Sequence, residues 1–114
     1  MRPTRPVSWL TTARKAFEGF PHDTREIIVD ALSVAAEGGK AGIAKPMKGL
    51  GSGVFEIALP YRGNAFRVVY AVQLGAELWV IHAFQKKSMH GIQTPKQEID
   101  VIKDRLKRLK EMLR

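Results

Sequence analysis

A chain of 114 residues fits one domain, 1–114, and 45% hydrophobic with 26% charged residues matches a soluble globular protein with a packed core. It has no eighteen-residue apolar run to span a membrane, and Met1-Arg2-Pro3-Thr4-Arg5-Pro6 lacks the apolar stretch of a secretory signal. It also has no cysteine for disulfides or thiolate metal sites, so a cytoplasmic protein is expected. Nineteen Lys+Arg against eleven Asp+Glu give +8, a field that favours polyanions through counterion release, although such charge also serves solubility.

Val7-Ser8-Trp9-Leu10 reads as a short edge strand, and a helical stretch follows from about Thr12 to Phe17. A stronger helix is predicted from Asp23 to about Glu37. Asp23 caps it with Glu26 three residues on, Ile27, Ile28, Ala31, Leu32, Val34 and Ala35 form the apolar stripe, and Gly38-Gly39 stops it. The first half is therefore expected to be a helical pair.

The middle has a strand period. Phe55, Ile57 and Leu59 alternate with Glu56 and Ala58; Arg62-Gly63-Asn64 supplies a turn, Ala65 to Gln73 a second strand, and Glu77 to Gln85 a third. Short connections imply an antiparallel meander, and the sheet is expected to be antiparallel throughout. In the second strand Phe66, Val68, Tyr70 and Val72 take one face and Arg67, Val69, Ala71 and Gln73 the other, so a strand apolar on both faces is central. Thr94-Pro95-Lys96-Gln97 carries a capping hydroxyl, a helix-opening proline and a capping-box glutamine. Ile99, Ile102, Leu106, Leu109 and Leu113 then form a narrow seam, read as docking on the sheet rather than as a dimer zipper. Lys103, Arg105, Lys107, Arg108, Lys110 and Arg114 are assigned to the opposite surface.

No phosphate-binding loop, dinucleotide fingerprint or zinc-protease motif is present, and His22, His82 and His90 lack ligand spacing, so neither metal nor cofactor is expected. The glycines of Gly49-Leu50-Gly51-Ser52-Gly53 enter a strand, which suits a turn better than a phosphate cradle. What remains is a set of cations on the sheet: Lys45 and Lys48 before the meander, Arg62 in the hairpin, Arg67 within the second strand, and Lys86-Lys87 ending the third. In a meander Arg67 and the lysine pair converge. An arginine amid Phe66, Val68 and Val69 is costly unless it reaches solvent or a partner, and Glu56 is the acidic neighbour that would hold it structurally.

The ordered set Lys48-Gly49-Leu50-Gly51, Val54-Phe55-Glu56-Ile57, Gly63-Asn64-Ala65-Phe66-Arg67-Val68-Val69-Tyr70, Ile81-His82-Ala83-Phe84-Gln85-Lys86-Lys87, and Thr94-Pro95 with Glu98-Ile99 resembles the phage-derived, HigB-like branch of the RelE/ParE toxin superfamily, over about Lys45 to Leu109. The resemblance implies an α+β, RelE-like fold: an N-terminal helical pair packed on a small antiparallel sheet, plus a C-terminal helix. It implies a type II toxin–antitoxin toxin that acts as a ribosome-dependent, metal-independent mRNA endonuclease and inhibits translation. The partners implied are the ribosome, mRNA and a cognate helix-turn-helix antitoxin whose acidic or amphipathic segment masks the cations. Such chemistry needs a base for the 2′-hydroxyl, cations for the developing phosphate charge and an acid for the leaving 5′-oxygen. Carried over by motif, Arg67 stabilises the phosphate, Lys87 with Lys86 clamps it or acts as acid, Lys48, Arg62 and Lys45 bind RNA, and Glu56 orients a cation or acts as base.

The chain departs from RelE in placing Glu56 and Ala58 where RelE has lysines, and in having no tyrosine after Lys87. His82 and His90 are the substitutes for proton transfer, although His82, read as sharing a face with Leu78, Val80 and Phe84, also fits a core histidine. Two other readings stay open: a ParE-like toxin directed at DNA gyrase, and a non-enzymatic phage-derived basic nucleic-acid-binding protein.

Overall fold

The computed structural model describes residues 4–87 and 94–113, and the elements run β1 (Val7–Trp9), α1 (Thr11–Glu18), α2 (His22–Ala36), β2 (Ala44–Pro46), β3 (Val54–Tyr61), β4 (Asn64–Leu74), β5 (Glu77–Lys86) and α3 (Lys96–Met112). One five-stranded sheet has the order β1-β5-β4-β3-β2, so β4 is central as expected. The antiparallel expectation holds for β2 to β5 and fails at the edge, where β1 pairs parallel to β5 with Ser8 opposite Trp79. Short connections dictate antiparallel neighbours only for strands adjacent in sequence. Nearly seventy residues separate β1 from β5, and the intervening helical pair carries the chain to the far edge before β2 begins. The chain thus opens with a strand, not with the helical pair. Strand β2 was not anticipated because three residues ending in a proline carry no alternation, and Pro46, lacking an N–H, is tolerated because β2 is an edge.

Both sheet faces are buried. On one, Ala13 and Phe17 of α1 and Ile28, Ala31, Leu32 and Ala35 of α2 pack on Ile57, Phe66, Val68, Tyr70, Leu78 and Val80. On the other, Ile102, Leu106 and Leu109 of α3 pack on Val54, Val69, Ala71 and Ile81, so the middle of the seam docks on the sheet, while Ile99 is half-buried and Leu113 at its end is exposed. The helical pair and α3 therefore sandwich it. The β3–β4 turn places Arg62 (φ 48) and Gly63 (φ 79) in the left-handed region, the two-residue geometry that matches strand twist.

Helix details differ from expectation. Helix α2 begins at His22 with Pro21 as its cap residue, so Asp23 lies inside the first turn, where its charge faces the helix dipole, and Glu26 pairs with His22 at 2.9 Å. Ile27 and Val34, assigned to the core stripe, are exposed, and Ala36 is buried in their stead. Among the described residues no helix is long and apolar enough to cross a membrane.

Ile102→Ala, which empties a fully buried site, is expected to cost about 2–5 kcal/mol. Leu113→Ala, at a 40% exposed position, should cost less than about 0.5 kcal/mol. Urea unfolding of the two variants checks that α3 is core rather than appendage.

Candidate functional site

The strand register collects charges on the α3 face. Lys45, Glu56, Val69 and His82 form one row across β2, β3, β4 and β5. The next row toward the β3–β4 turn holds Ala58, Arg67 and Phe84, and the one after it Pro60, Ala65 and Lys86. Residues two apart on a strand share a face, so Glu56, Arg67, His82, Phe84 and Lys86 look the same way.

Arg67 is held there by Glu56. Its Nη1 donates to Glu56 Oε1 at 2.7 Å and to Thr94 Oγ1 at 3.3 Å, while the Thr94 hydroxyl donates to Glu56 Oε2 at 2.5 Å. The two charged side chains are only 7% and 12% exposed. The structural partner considered for Arg67 is therefore the one it has. Thr94, expected to cap α3, is turned to the carboxylate instead, and Pro95 occupies the cap position without a side-chain bond. A hydrogen bond to a carboxylate is roughly twice as strong as one to a backbone amide, which favours the turned hydroxyl.

A second cluster adjoins the first. His82 Nε2 is 3.2 Å from Glu98 Oε2, and Arg105 Nη1 donates to His82 Nδ1 at 2.9 Å and to the Ile81 carbonyl at 3.0 Å. Because a guanidinium can only donate, Nδ1 accepts, and the network assigns the proton to Nε2, donated to Glu98. Burial lowers the His82 pKa, the Glu98 hydrogen bond opposes this, and the Arg105 charge adds to the lowering, with the Glu98 charge opposing in turn. With both ring nitrogens engaged, the imidazole in this arrangement is a docking residue rather than a free base.

Arg105 and His82 both depart from expectation. Arg105 was placed on the solvated surface but faces the sheet, because Glu98, Ile102, Arg105 and Leu109 fall at spacings of four, three and four on the docking stripe. His82 does not share a face with Leu78 and Val80. A bulge between the Val69–His82 and Tyr70–Val80 pairs shifts the alternation, leaving Leu78 and Val80 under the helical pair and turning His82 toward α3, stacked on Phe84 at 5.0 Å.

The remaining cations are distributed. Lys86 is buried; Lys87, just past β5, and Arg62, in the turn with its guanidinium 5.5 Å from the Tyr61 ring centroid, are exposed at the same end of the sheet. Lys48 is exposed in the loop before Val54, at the other end of β3, so the structure does not place it beside Arg62. His90 lies outside the described residues. Among the described residues no three His, Asp or Glu side chains gather as a metal cage. The sequence reading missed Thr94, Glu98 and Arg105 as site residues, and the signal available was a pair of opposite charges seven apart flanking a buried isoleucine in the α3 seam.

Removing Arg67 leaves Glu56 buried and uncompensated, so Arg67→Ala should lower stability by about 3–5 kcal/mol, whereas the double replacement Glu56→Leu with Arg67→Met should stay within about 1 kcal/mol of wild type. Denaturant unfolding of the set decides it. The histidine adds a pH dependence. The unfolded imidazole binds its proton at about 6.5 and the folded one only at lower pH, so the unfolded state gains protons first on acidification. Stability should be full above about pH 6.5 and decline as the pH falls from there toward the lowered native pKa. In His82→Gln that part of the decline should vanish, as read from urea midpoints between pH 8 and pH 5.

No curated protein matches the chain. Solved structures do. A mutant of E. coli toxin RelE in the free state aligns with a TM-score of 0.63 at 17% identity, covering 93% of this chain and 98% of that one. The toxin–antitoxin complex RelBE2 from Mycobacterium tuberculosis aligns with a TM-score of 0.50 at 20% identity, covering 77% and 97%. At such identities the likeness establishes the fold. The family model described as phage derived protein Gp49-like (DUF891) matches residues 15–107, most of the chain from α1 through α3. With the RelE fold and that match, this chain belongs to the phage-derived Gp49-like family.

Proposed function

We propose that the chain is the HigB-like toxin of a type II toxin–antitoxin system, an endoribonuclease that cuts messages on the ribosome in the cytoplasm and is restrained by a helix-turn-helix antitoxin. The observation that carries this reading is the position of Arg67 and Lys86 on one sheet face, with exposed Lys87 and Arg62 at the same end, in a fold shared with the toxin RelE. An antitoxin partner is supported by the RelBE2 complex among the structural likenesses.

Internal RNA cleavage by the 2′-hydroxyl requires a base to take the hydroxyl proton, an acid to give one to the leaving 5′-oxygen, and cations for the charge on the five-coordinate phosphorus. Arg67 and Lys86 would supply charge from the sheet, and Lys87 would clamp the phosphate or act as acid. Lys45, Lys48 and Arg62 would follow the RNA backbone. Glu56, with both carboxylate oxygens engaged by Arg67 and Thr94, orients the arginine in the resting site and would act as base only on leaving that pair. His82 is taken up by α3 docking, so the acid role would fall to the lysines or to His90.

Lys87→Ala is the informative substitution, because this exposed residue past β5 can be removed without disturbing the fold. Primer extension on a translated message should show cleavage on expression of the wild type. The variant's cleavage should fall on the order of 100-fold, the loss typical of one transition-state donor, with an unchanged melting temperature. Co-expression of the neighbouring reading frame should restore growth. Growth arrest with intact messages and broken chromosomal DNA would move the reading to a gyrase-directed toxin, and harmless high-level expression would remove it.

A further inference from the structure

The outer side of α2 carries a pattern that neither the core nor the proposed RNA site uses. Asp23, Glu26 and Asp30, with Glu37 just beyond the helix, are all exposed, which places four of the chain's eleven acids along one element of a protein with net charge +8. Asp23, Asp30 and Glu37 are seven apart and so lie along one line of the helix. Ile27 and Val34, also seven apart, run beside that line, 45% and 40% exposed. On its other side Val29, 45% exposed, lines a groove of about 450 Å³ with Phe17, Glu26, Asp30, His22, which pairs with Glu26, and Arg25, whose Nε donates to the Phe20 carbonyl. Ile27 and Val34 on one side of an acidic ridge and Val29 on the other form an exposed apolar patch with a charged rim, the pattern that marks a protein–protein contact. Among the described residues, Asp23, Asp30 and Glu37 have no ion-pair partner.

We propose that this face of α2 is a docking surface for a basic amphipathic helix of a second polypeptide. Charge complementarity selects the occupant. The ridge repels the phosphates of RNA and of anionic bilayers, and it attracts lysine and arginine side chains whose aliphatic stems can lie along Ile27, Val29 and Val34. A second copy of this chain has suitable chemistry at the end of α3, where Met112 and Leu113 are exposed beside Lys107, Arg108 and Lys110. That end, however, belongs to the helix on the opposite sheet face. An α2-to-α3 contact between copies is therefore head-to-tail, and it builds a ring or a filament of copies rather than a two-fold dimer. A separate partner needs only the one face, without a repeating assembly, and it would leave the Arg67 face open.

The test uses the full chain and an eighteen-residue synthetic helix with leucines at heptad a and d positions flanked by lysines, with a glutamate-for-lysine version as control. Fluorescence anisotropy should show saturable binding of the lysine peptide and none of the glutamate peptide. Binding should weaken at least tenfold in Ile27→Ser/Val34→Ser and in Asp30→Lys. It should be unchanged in Lys103→Glu on the outer side of α3. All substituted positions are exposed, and melting temperatures of the variants should match wild type. Equal binding by the α2 variants, equal binding of both peptides, or no saturable binding up to about millimolar peptide overturns the proposal. Concentration-dependent association into rings or filaments by light scattering, lost when Met112 and Leu113 are replaced by serine, would give the face to a second copy and overturn it as well.

Discussion

The ion pair between Glu56 and Arg67 sets the terms for everything on the α3 side of the sheet. Two unit charges about 4 Å apart at an effective dielectric near 20 attract by about 4 kcal/mol, and this attraction together with the Thr94 hydrogen bonds is set against the cost of withdrawing both ions from water. The pair therefore nearly cancels in net stability. Its consequence is specificity: with Arg67 on β4, Glu56 must be beside it on β3, and Thr94 must approach from the start of α3. A one-residue slip of β3 against β4 would send one of the two charges to the opposite core, under Ile28 and Leu32.

The same face explains how α3 finds its place. The apolar half of the contact, Ile102, Leu106 and Leu109 on Val69, Ala71 and Ile81, supplies the burial but little direction along the strands. Direction comes from His82, held between Glu98 and Arg105. Seven residues of helix span about 10.5 Å, so a helix slid by one turn would lose both bonds. The bulge on β5 makes this arrangement available. Without it His82 would join Leu78 and Val80 beneath the helical pair, in the apolar core.

How far the sequence could be read follows the range of the interactions. The meander was legible because its alternation and turn chemistry are local, and the central place of β4 followed from apolar residues on both of its faces. The α3 seam was legible from its three-and-four spacing. The parallel edge pairing was not, because nothing between Val7 and Trp9 encodes a partner seventy residues away. The bulge was not, because it leaves no mark in a run such as Val80-Ile81-His82. Thr94 was misjudged for a physical reason: a capping threonine and a carboxylate-bound threonine look the same until the sheet brings Glu56 within reach. For the site, the cations and Glu56 were legible as residue types, and the partner foreseen for Arg67 is the one observed, but Arg105 was assigned to the wrong face.

Under the proposed function the buried pair also constrains how a phosphate could engage Arg67. Both oxygens of Glu56 are committed, one to the guanidinium and one to the Thr94 hydroxyl, so an incoming phosphate competes with a carboxylate already in place. Exchange is feasible only if the displaced carboxylate keeps a compensating charge or takes up a proton, since a lone carboxylate at that depth costs several kcal/mol. Lys45 is opposite Glu56 in the β2–β3 register, on the same face and exposed. Under that function it would receive Glu56 as the phosphate takes Arg67. The lysine on the short edge strand, which looks peripheral in the fold, would then govern whether the central arginine is available at all.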